Sequence, residues 1–174
     1  MNSLIKITSG TLRGRSIKSP NSKLTHPMGA REKLALFNML SSDLAGATVL
    51  DAYAGSGALG IEALSRGASE VVFVEKNAKT CKIIRENLKS LRLEAEVITG
   101  DVADFISAGF FDIIVADPPY DKFATEEIVH LAQFLKQNGI FVLSHPGEAP
   151  KLPNLELEKS REYAGAHLSV YVKR

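Results

Sequence analysis

The sequence predicts an α/β fold: a mostly parallel sheet covered by helices, with an antiparallel strand pair at the C-terminus and a β-hairpin arm and helix at the N-terminus. Three observations predict it. From Thr48 onward, short apolar runs alternate with stretches of helical spacing, the pattern of parallel strands joined by crossover helices. The first run opens Val49 to Gly60 (VLDAYAGSGALG), which ends in an acid and passes through glycines into a helical pattern. The tail from Leu155 carries two extended patterns in succession, and two strands without a helix between them pair antiparallel.

Taken in order, Leu4 to Thr8 and Leu12 to Lys18 read as two short strands around Ser9-Gly10, a hairpin with Arg13 and Arg15 near its turn. So small a hairpin needs a surface to dock on. Ser19 to Gly29, rich in Pro, Ser, Asn and Gly, reads as a linker, and Ala30 to Ser41 as a helix with Leu34, Phe37 and Leu40 on its inner face. His26 and Asn38 suit cap or turn hydrogen bonds. Strands are expected near 48 to 52, 70 to 75, 95 to 100, 111 to 117 and 139 to 144. Among the helices between them, Ala58 to Arg66 follows the glycines, and Asn77 to Leu91 sets Cys81, Ile84, Leu88 and Leu91 on one face. Thr125 to Lys136 does the same with Ile128, Leu131 and Leu135, and Gly139 is expected to cap it. Leu155 to Ser160 and His167 to Lys173 form the terminal pair. Residues 1–29 are therefore expected to be a basic hairpin and linker, and 30–174 the main domain.

The bulk properties narrow the function classes. A chain of 174 residues, 45% hydrophobic and 24% charged, is sized for one globular domain. No apolar stretch is long enough to cross a bilayer, and MNSLIKITSG lacks a signal-type apolar segment, so a cytoplasmic protein without membrane contact is expected. Cys81 is the only cysteine, which excludes an internal disulfide and a cysteine-built metal cluster; no metal is expected. The net charge of +1 hides an asymmetry. Lys6, Arg13, Arg15, Lys18, Lys23, Arg31 and Lys33 face Glu32 alone in the first 33 residues, a net +6 that leaves −5 for the rest. A solvated hairpin would give the same pattern. The absence of any acid from the first 31 residues favours a polyanionic partner, since phosphate neutralisation supplies most non-specific affinity for nucleic acid.

Gly55-x-Gly57-x-x-Gly60 lies where backbone must pass close to a nucleotide-type cofactor, but alone it also fits a dinucleotide fold or a chance loop. Glu75 closes the next apolar run, Val71 to Val74, about twenty residues after the first glycine, where an acid commonly holds ribose hydroxyls. Asp117-Pro118-Pro119-Tyr120 closes a third run, Ile113 to Ala116, and a hydride-transfer enzyme has no use for it.

With these residues the chain resembles the class I S-adenosylmethionine-dependent methyltransferases and, within them, the RsmD family, which methylates the exocyclic amine of a guanine in small-subunit ribosomal RNA. The likeness rests on Gly-Thr-Leu-Arg-Gly-Arg (10 to 15), Leu36-Phe37-Asn38, the run from Tyr53 to Gly67 and Asp117-Pro118-Pro119-Tyr120. Where many relatives have Pro-Thr followed by an acid and paired arginines, this chain has Pro27 to Leu34, PMGAREKL, and only Arg31 carries over. The resemblance implies a Rossmann-like class I methyltransferase fold, S-adenosyl-L-methionine as cofactor, 16S ribosomal RNA or the assembling small subunit as partner, and a monomer. It implies a cofactor surface of Asp51, Ala54, Gly55, Ser56, Gly57, Glu75, Lys76, Asp101, Val102 and Asp117. Asp51 would help hold the amino-acid moiety, Glu75 the ribose and Asp101 the adenine amino group, with the Val102 amide facing the ring.

It implies further that Asp117, Pro118, Pro119 and Tyr120 carry the chemistry. The Asp117 carboxylate and the Pro118 carbonyl would accept the two hydrogens of an amine, and Tyr120 would stack the displaced base. Arg13, Arg15, Lys18 and Arg31 would meet RNA. Two other readings stay open: an amino-group methyltransferase on adenine or on a protein amide, and an RNA-binding assembly protein on an inactive methyltransferase fold.

Overall fold

The computed structural model describes residues 3–20, 28–163 and 166–174. The expected linker falls mostly on residues 21–27, which together with His26 lie outside the described residues. The elements run β1 (Leu4–Lys6), β2 (Ser16–Lys18), α1 (Ala30–Met39), β3 (Thr48–Ala52), α2 (Ala58–Ser65), β4 (Glu70–Glu75) and α3 (Ala78–Leu91). They continue with β5 (Glu96–Thr99), β6 (Phe111–Ala116), α4 (Thr125–Ala132), β7 (Leu135–His145), β8 (Leu155–Tyr163) and β9 (Ala166–Lys173). No described helix is long and apolar enough to cross a membrane.

Seven strands form one sheet in the order β5-β4-β3-β6-β7-β9-β8, parallel from β5 through β7 and antiparallel beyond. The expected mostly parallel sheet with an antiparallel terminal pair is observed. The last strand slots between β7 and β8, so β8 takes the edge. Period-2 alternation divides the sheet between two cores. Val49, Val71 and Phe73 face one core, shared with Phe37 of α1, Ile61 of α2 and Ile84 of α3. Leu50, Val72 and Val74 face the other, shared with Ile128 and Leu131 of α4. The α3 stripe Cys81, Ile84, Leu88 and Leu91 is buried as expected, and Asn77 caps the helix by accepting from the Lys79 and Thr80 amides.

Five expectations need correction. The hairpin strands are three residues each, because Ile7 to Arg15 is a tight turn closed by the Ile7 amide on the Arg15 carbonyl and the Gly14 amide on the Ile7 carbonyl. On α1, Leu34 is exposed; Phe37 and Leu40 are buried as expected, joined by Lys33 and Leu36. The fourth helix ends at Ala132, and Leu135 already pairs with Phe111 as the first residue of β7. Gly139 caps nothing: it lies within β7 at an irregularity, where a Cβ would sit 2.8 Å from the Lys136 carbonyl and 3.0 Å from that of Asp112. Gly60 is not at the ligand turn but inside α2, and a Cβ there would overlap the Phe73 ring, so this glycine presses the helix onto the sheet.

The hairpin docks on α2 through Ser65, whose hydroxyl accepts from the Leu12 amide at 3.0 Å and donates to the Ser9 carbonyl at 2.6 Å, and through a buried acid beside it. Glu62 of α2 is fully buried and accepts from the Thr8 amide (2.9 Å), the Thr8 hydroxyl (2.7 Å) and the Ser9 amide (2.9 Å). It also pairs with Lys33 of α1 at 3.1 Å and with Arg66 at 3.0 Å. Burial works to raise the Glu62 carboxyl, but the Thr8 hydrogen bonds and the Lys33 charge outweigh it and hold the group below the ordinary carboxylate range. On the other side the Asn87 side chain accepts from the Lys18 amide and donates to the Lys18 carbonyl, both at 2.8 Å, and also donates to the Ser56 carbonyl at 3.2 Å. The arm, the first helix and the glycine loop are therefore linked by two buried polar side chains.

Candidate active site

Strand β3 is the switch point of the sheet. The chain runs from it through β4 to β5 on one side, then returns to place β6 on the other, and a crevice opens at the carboxyl ends of strands that diverge in this way. Register sets the contents. Ala52 is level with Val74 of β4 and Ala116 of β6, so Glu75 and Asp117 each lie one residue beyond it on either side. The loops around Ser56 and Pro118 therefore leave neighbouring parallel strands at the same end of the sheet.

Between them the glycine loop turns sharply. Gly55 and Gly57 have φ of 52° and 78°, the left-handed region that glycine takes without a Cβ clash. Tyr53 adopts φ 61° as well, held by its hydroxyl on the Glu127 carboxylate at 2.6 Å. Burial and that carboxylate push the Tyr53 phenol well above its ordinary range. Glu75 braces the loop: one oxygen accepts from the Gly55 amide at 3.0 Å and the other from the Asn77 amide at 2.8 Å. A carboxylate oxygen can accept twice, so each retains capacity for a hydroxyl. Asp101 accepts from the Ala103 amide at 3.2 Å and starts the short turn that buries Val102; Ala54 and Ser56 are buried, and Lys76 is exposed.

Asp51 is 2% exposed and accepts from the Gly60 amide at 2.8 Å, tying β3 to α2. Burial raises its carboxyl to about 8, against the Gly60 hydrogen bond, and the charges of Asp117 and Glu75 add to the rise. Burial likewise pushes Asp117 up to about 6, with the Ser144 hydroxyl drawing it back. Among the described residues no ion pair involves Asp51, Glu75 or Asp117. Asp51 feels the charges of both Asp117 and Glu75 with no cation paired to any of them, which suits a cofactor carrying a sulfonium and an ammonium group; this donor set fits S-adenosylmethionine and repels a dinucleotide phosphate. Asp51, Glu75 and the glycine-loop backbone are the groups that would hold it. Two hollows of about 310 and 370 Å³ lie elsewhere, one lined by Asp43, Gly46 and Lys136 at the opposite end of the strands, the other by Thr125, His130 and Lys151 beside α4.

In the Asp117–Tyr120 turn, Pro118 is buried, Pro119 is exposed and the Tyr120 ring is 38% exposed. The Tyr120 hydroxyl lies 2.6 Å from that of Ser144 at the end of β7. On the arm, Arg13 and Arg31 are exposed, Arg15 donates to the Ser90 carbonyl at 3.1 Å, and Lys18 pairs with Glu86 at 3.1 Å. Sequence reasoning missed Ser144, Glu127, Asn87, Glu62 and Lys33. The one available signal was Lys33 itself, a charge at helical spacing from Leu36 and Phe37 and so on their face of α1.

The sheet order, the left-handed glycine turn and the acids Asp51, Glu75 and Asp117 around it place this chain among the S-adenosylmethionine-dependent methyltransferases. The chain belongs to the family described as Conserved hypothetical protein 95, which matches residues 5–172, and the resemblance to the RsmD family is borne out. Ribosomal RNA small subunit methyltransferase D of Haemophilus influenzae is 33% identical over 156 residues, 84% of this chain and 81% of that protein. The protein of the same name from Escherichia coli K12 is 34% identical over 138 residues, 78% of this chain and 68% of the relative. The solved structure of the Escherichia coli protein yhhF superposes with a TM-score of 0.90 at 28% identity, covering 99% of both chains.

Proposed function

We propose that this protein methylates the exocyclic N2 amine of a guanine in 16S ribosomal RNA, in the cytoplasm, on the RNA or the assembling small subunit. The observation that carries the reading is the level placement of Asp117–Tyr120 beside the glycine loop, on adjacent strand ends. The names of the relatives support an RNA of the small subunit as substrate. The basic arm supports a polyanion, with exposed Arg13 and Arg31 and the partly engaged Arg15 and Lys18 available to phosphates.

When bound, S-adenosylmethionine supplies an electrophilic methyl carbon on a cationic sulfur. The protein's task is the nucleophile, whose lone pair is delocalised into the base. The Asp117 carboxylate and the Pro118 carbonyl accept the two amine hydrogens, turn the lone pair out of the ring plane and stabilise the positive charge that grows on nitrogen. The proline ring fixes the backbone that carries this carbonyl. As the N–C bond forms, the nitrogen becomes acidic, and Asp117, raised to about 6, can take the released proton and pass it to water. The half-exposed Tyr120 ring offers a face for the extruded base. Glu75 keeps the cofactor side negative, and the approach of a cationic cofactor would favour loss of the Asp51 proton.

The test is mass spectrometry of 16S ribosomal RNA from cells with and without this chain, paired with incorporation of labelled methyl into small subunits that lack the modification. Loss of one N2-methylguanine, restored in vitro, is expected. Label on an adenine instead, or failure to bind the cofactor by calorimetry, overturns the proposal.

A further inference from the structure

Ser144 joins the two ends of the Asp117–Tyr120 turn. Leu143 is in register with Ala116 of β6, so Ser144 is level with Asp117 on the next strand. It is 2% exposed, its hydroxyl is 2.6 Å from the Tyr120 hydroxyl, and it lies near enough to the Asp117 carboxyl to draw that group back toward the ordinary carboxylate range. A serine hydroxyl has one proton to give, and an ionised carboxylate can only accept. An ionised Asp117 beside Ser144 favours the order in which Tyr120 donates to Ser144 Oγ and Ser144 turns its own proton toward the carboxylate.

The anchor is stiff. Ser144 is paired with Leu168 of β9, and β7, in which it is the last residue but one, is held by β6 on the other side, whereas Pro118 and Pro119 lie outside regular structure. We propose that Ser144 is the positioning residue of the methyl-acceptor site: one hydroxyl sets both the carboxylate that takes the amine hydrogen and the aromatic face that holds the base. The inference rests on the amine-methylation reading above. It assigns Ser144 no bond-making step. Its hydroxyl occupies one Asp117 oxygen site, leaves the remaining capacity for the substrate amine, and stops the Tyr120 ring from swinging out of stacking position.

The test uses the full chain and small subunits lacking the modification, with variants S144A, S144C, S144T and Y120F. Hydrogen bonds to charged groups carry about ten- to hundredfold effects, so S144A should lose kcat by that factor. Its calorimetric affinity for S-adenosylmethionine should stay within about twofold, because no cofactor-side carboxylate is touched. S144T keeps the hydroxyl and should restore most of kcat. Y120F keeps the Ser144–Asp117 link and should lose less kcat than S144A while KM rises. S144C preserves volume with a weak donor, and should fold like the wild type yet turn over slowly, which decides the matter if S144A proves unstable. Wild-type kcat in S144A or S144C, or an S144T as slow as S144A, overturns the role of Ser144 alone. A wild-type protein inactive on guanine N2 overturns the substrate reading, and the inference with it.

Discussion

Replacing Asp51 with Asn should stabilise the protein at neutral and alkaline pH while weakening its hold on the cofactor. The amide side chain would keep an oxygen for the Gly60 amide, now 2.8 Å from Asp51, but would have no proton to release. The wild-type carboxyl is raised from 3.8 to about 8, chiefly by burial. The folded chain therefore keeps a proton that the unfolded chain has already lost, and stability falls as pH rises from about 4 to 8. Asp117, raised to about 6, adds to the fall only below that value, and His145, whose buried ring is held below 6.5, acts below that pH with the opposite sign. Between about pH 6.5 and 8 Asp51 acts alone among these groups, and at about 1.4 kcal/mol per pH unit the wild type should lose roughly 1.5 kcal/mol there. That corresponds to a Tm drop of about 3–6 °C for a chain of this size. Urea unfolding of the cofactor-free protein across pH 6 to 8.5 measures it. The variant should show a flat profile over the same range and exceed the wild type at pH 8, less about 1–3 kcal/mol for an unpartnered buried amide. A flat wild-type profile, or a variant that keeps the slope, would refute the assignment of a protonated Asp51. Cofactor affinity, read by calorimetry, should drop at least tenfold, since the ionisable acid on the strand that leads into the glycine loop is gone.

Other residues give independent tests. Asp117→Ala should cost at least about a hundredfold in kcat with cofactor affinity nearly intact, and the wild-type rate should fall below about pH 6 as the carboxylate takes a proton and ceases to accept from the amine; a large loss of cofactor binding instead would remove Asp117 from the acceptor side. Glu62→Ala leaves Lys33, with 5% of its side chain exposed, charged and unpaired in the interior, and should destabilise the fold by roughly 3–5 kcal/mol in urea unfolding. A cost under about 1 kcal/mol would mean that the arm does not depend on this acid. Neutralising Arg13 and Arg15 together should lower the salt slope of RNA binding by about 1–2, and an unchanged slope would return the arm to a merely solvated hairpin.

The local periodicities were legible in the sequence because they depend on neighbours a few residues away. Strands at 48–52 and 70–75 and the α3 stripe follow from alternation at two and 3.6 residues. The glycine loop and Asp117–Tyr120 were legible because each is contiguous. Gly139 misled because a glycine after a helical pattern looks like a cap, whereas here the sheet needs a close backbone approach. Lys33 entered only the charge count and the segment Pro27 to Leu34, and Glu62 only the run from Tyr53 to Gly67, since a buried ion pair is visible only when both partners are in place, and these two are 3.1 Å apart across two helices.

By itself the sequence determined the sheet's strands, the glycine-rich loop and the Asp117–Tyr120 tetrapeptide, because each is written in residues adjacent along the chain. The tertiary structure alone decided that β9 inserts beside β7, that Ser144 meets Tyr120 beside Asp117, and that burial raises the Asp51 carboxyl. Those outcomes depend on strand order, register and exclusion of water, which arise from contacts between segments far apart in sequence and leave no periodic trace within either segment.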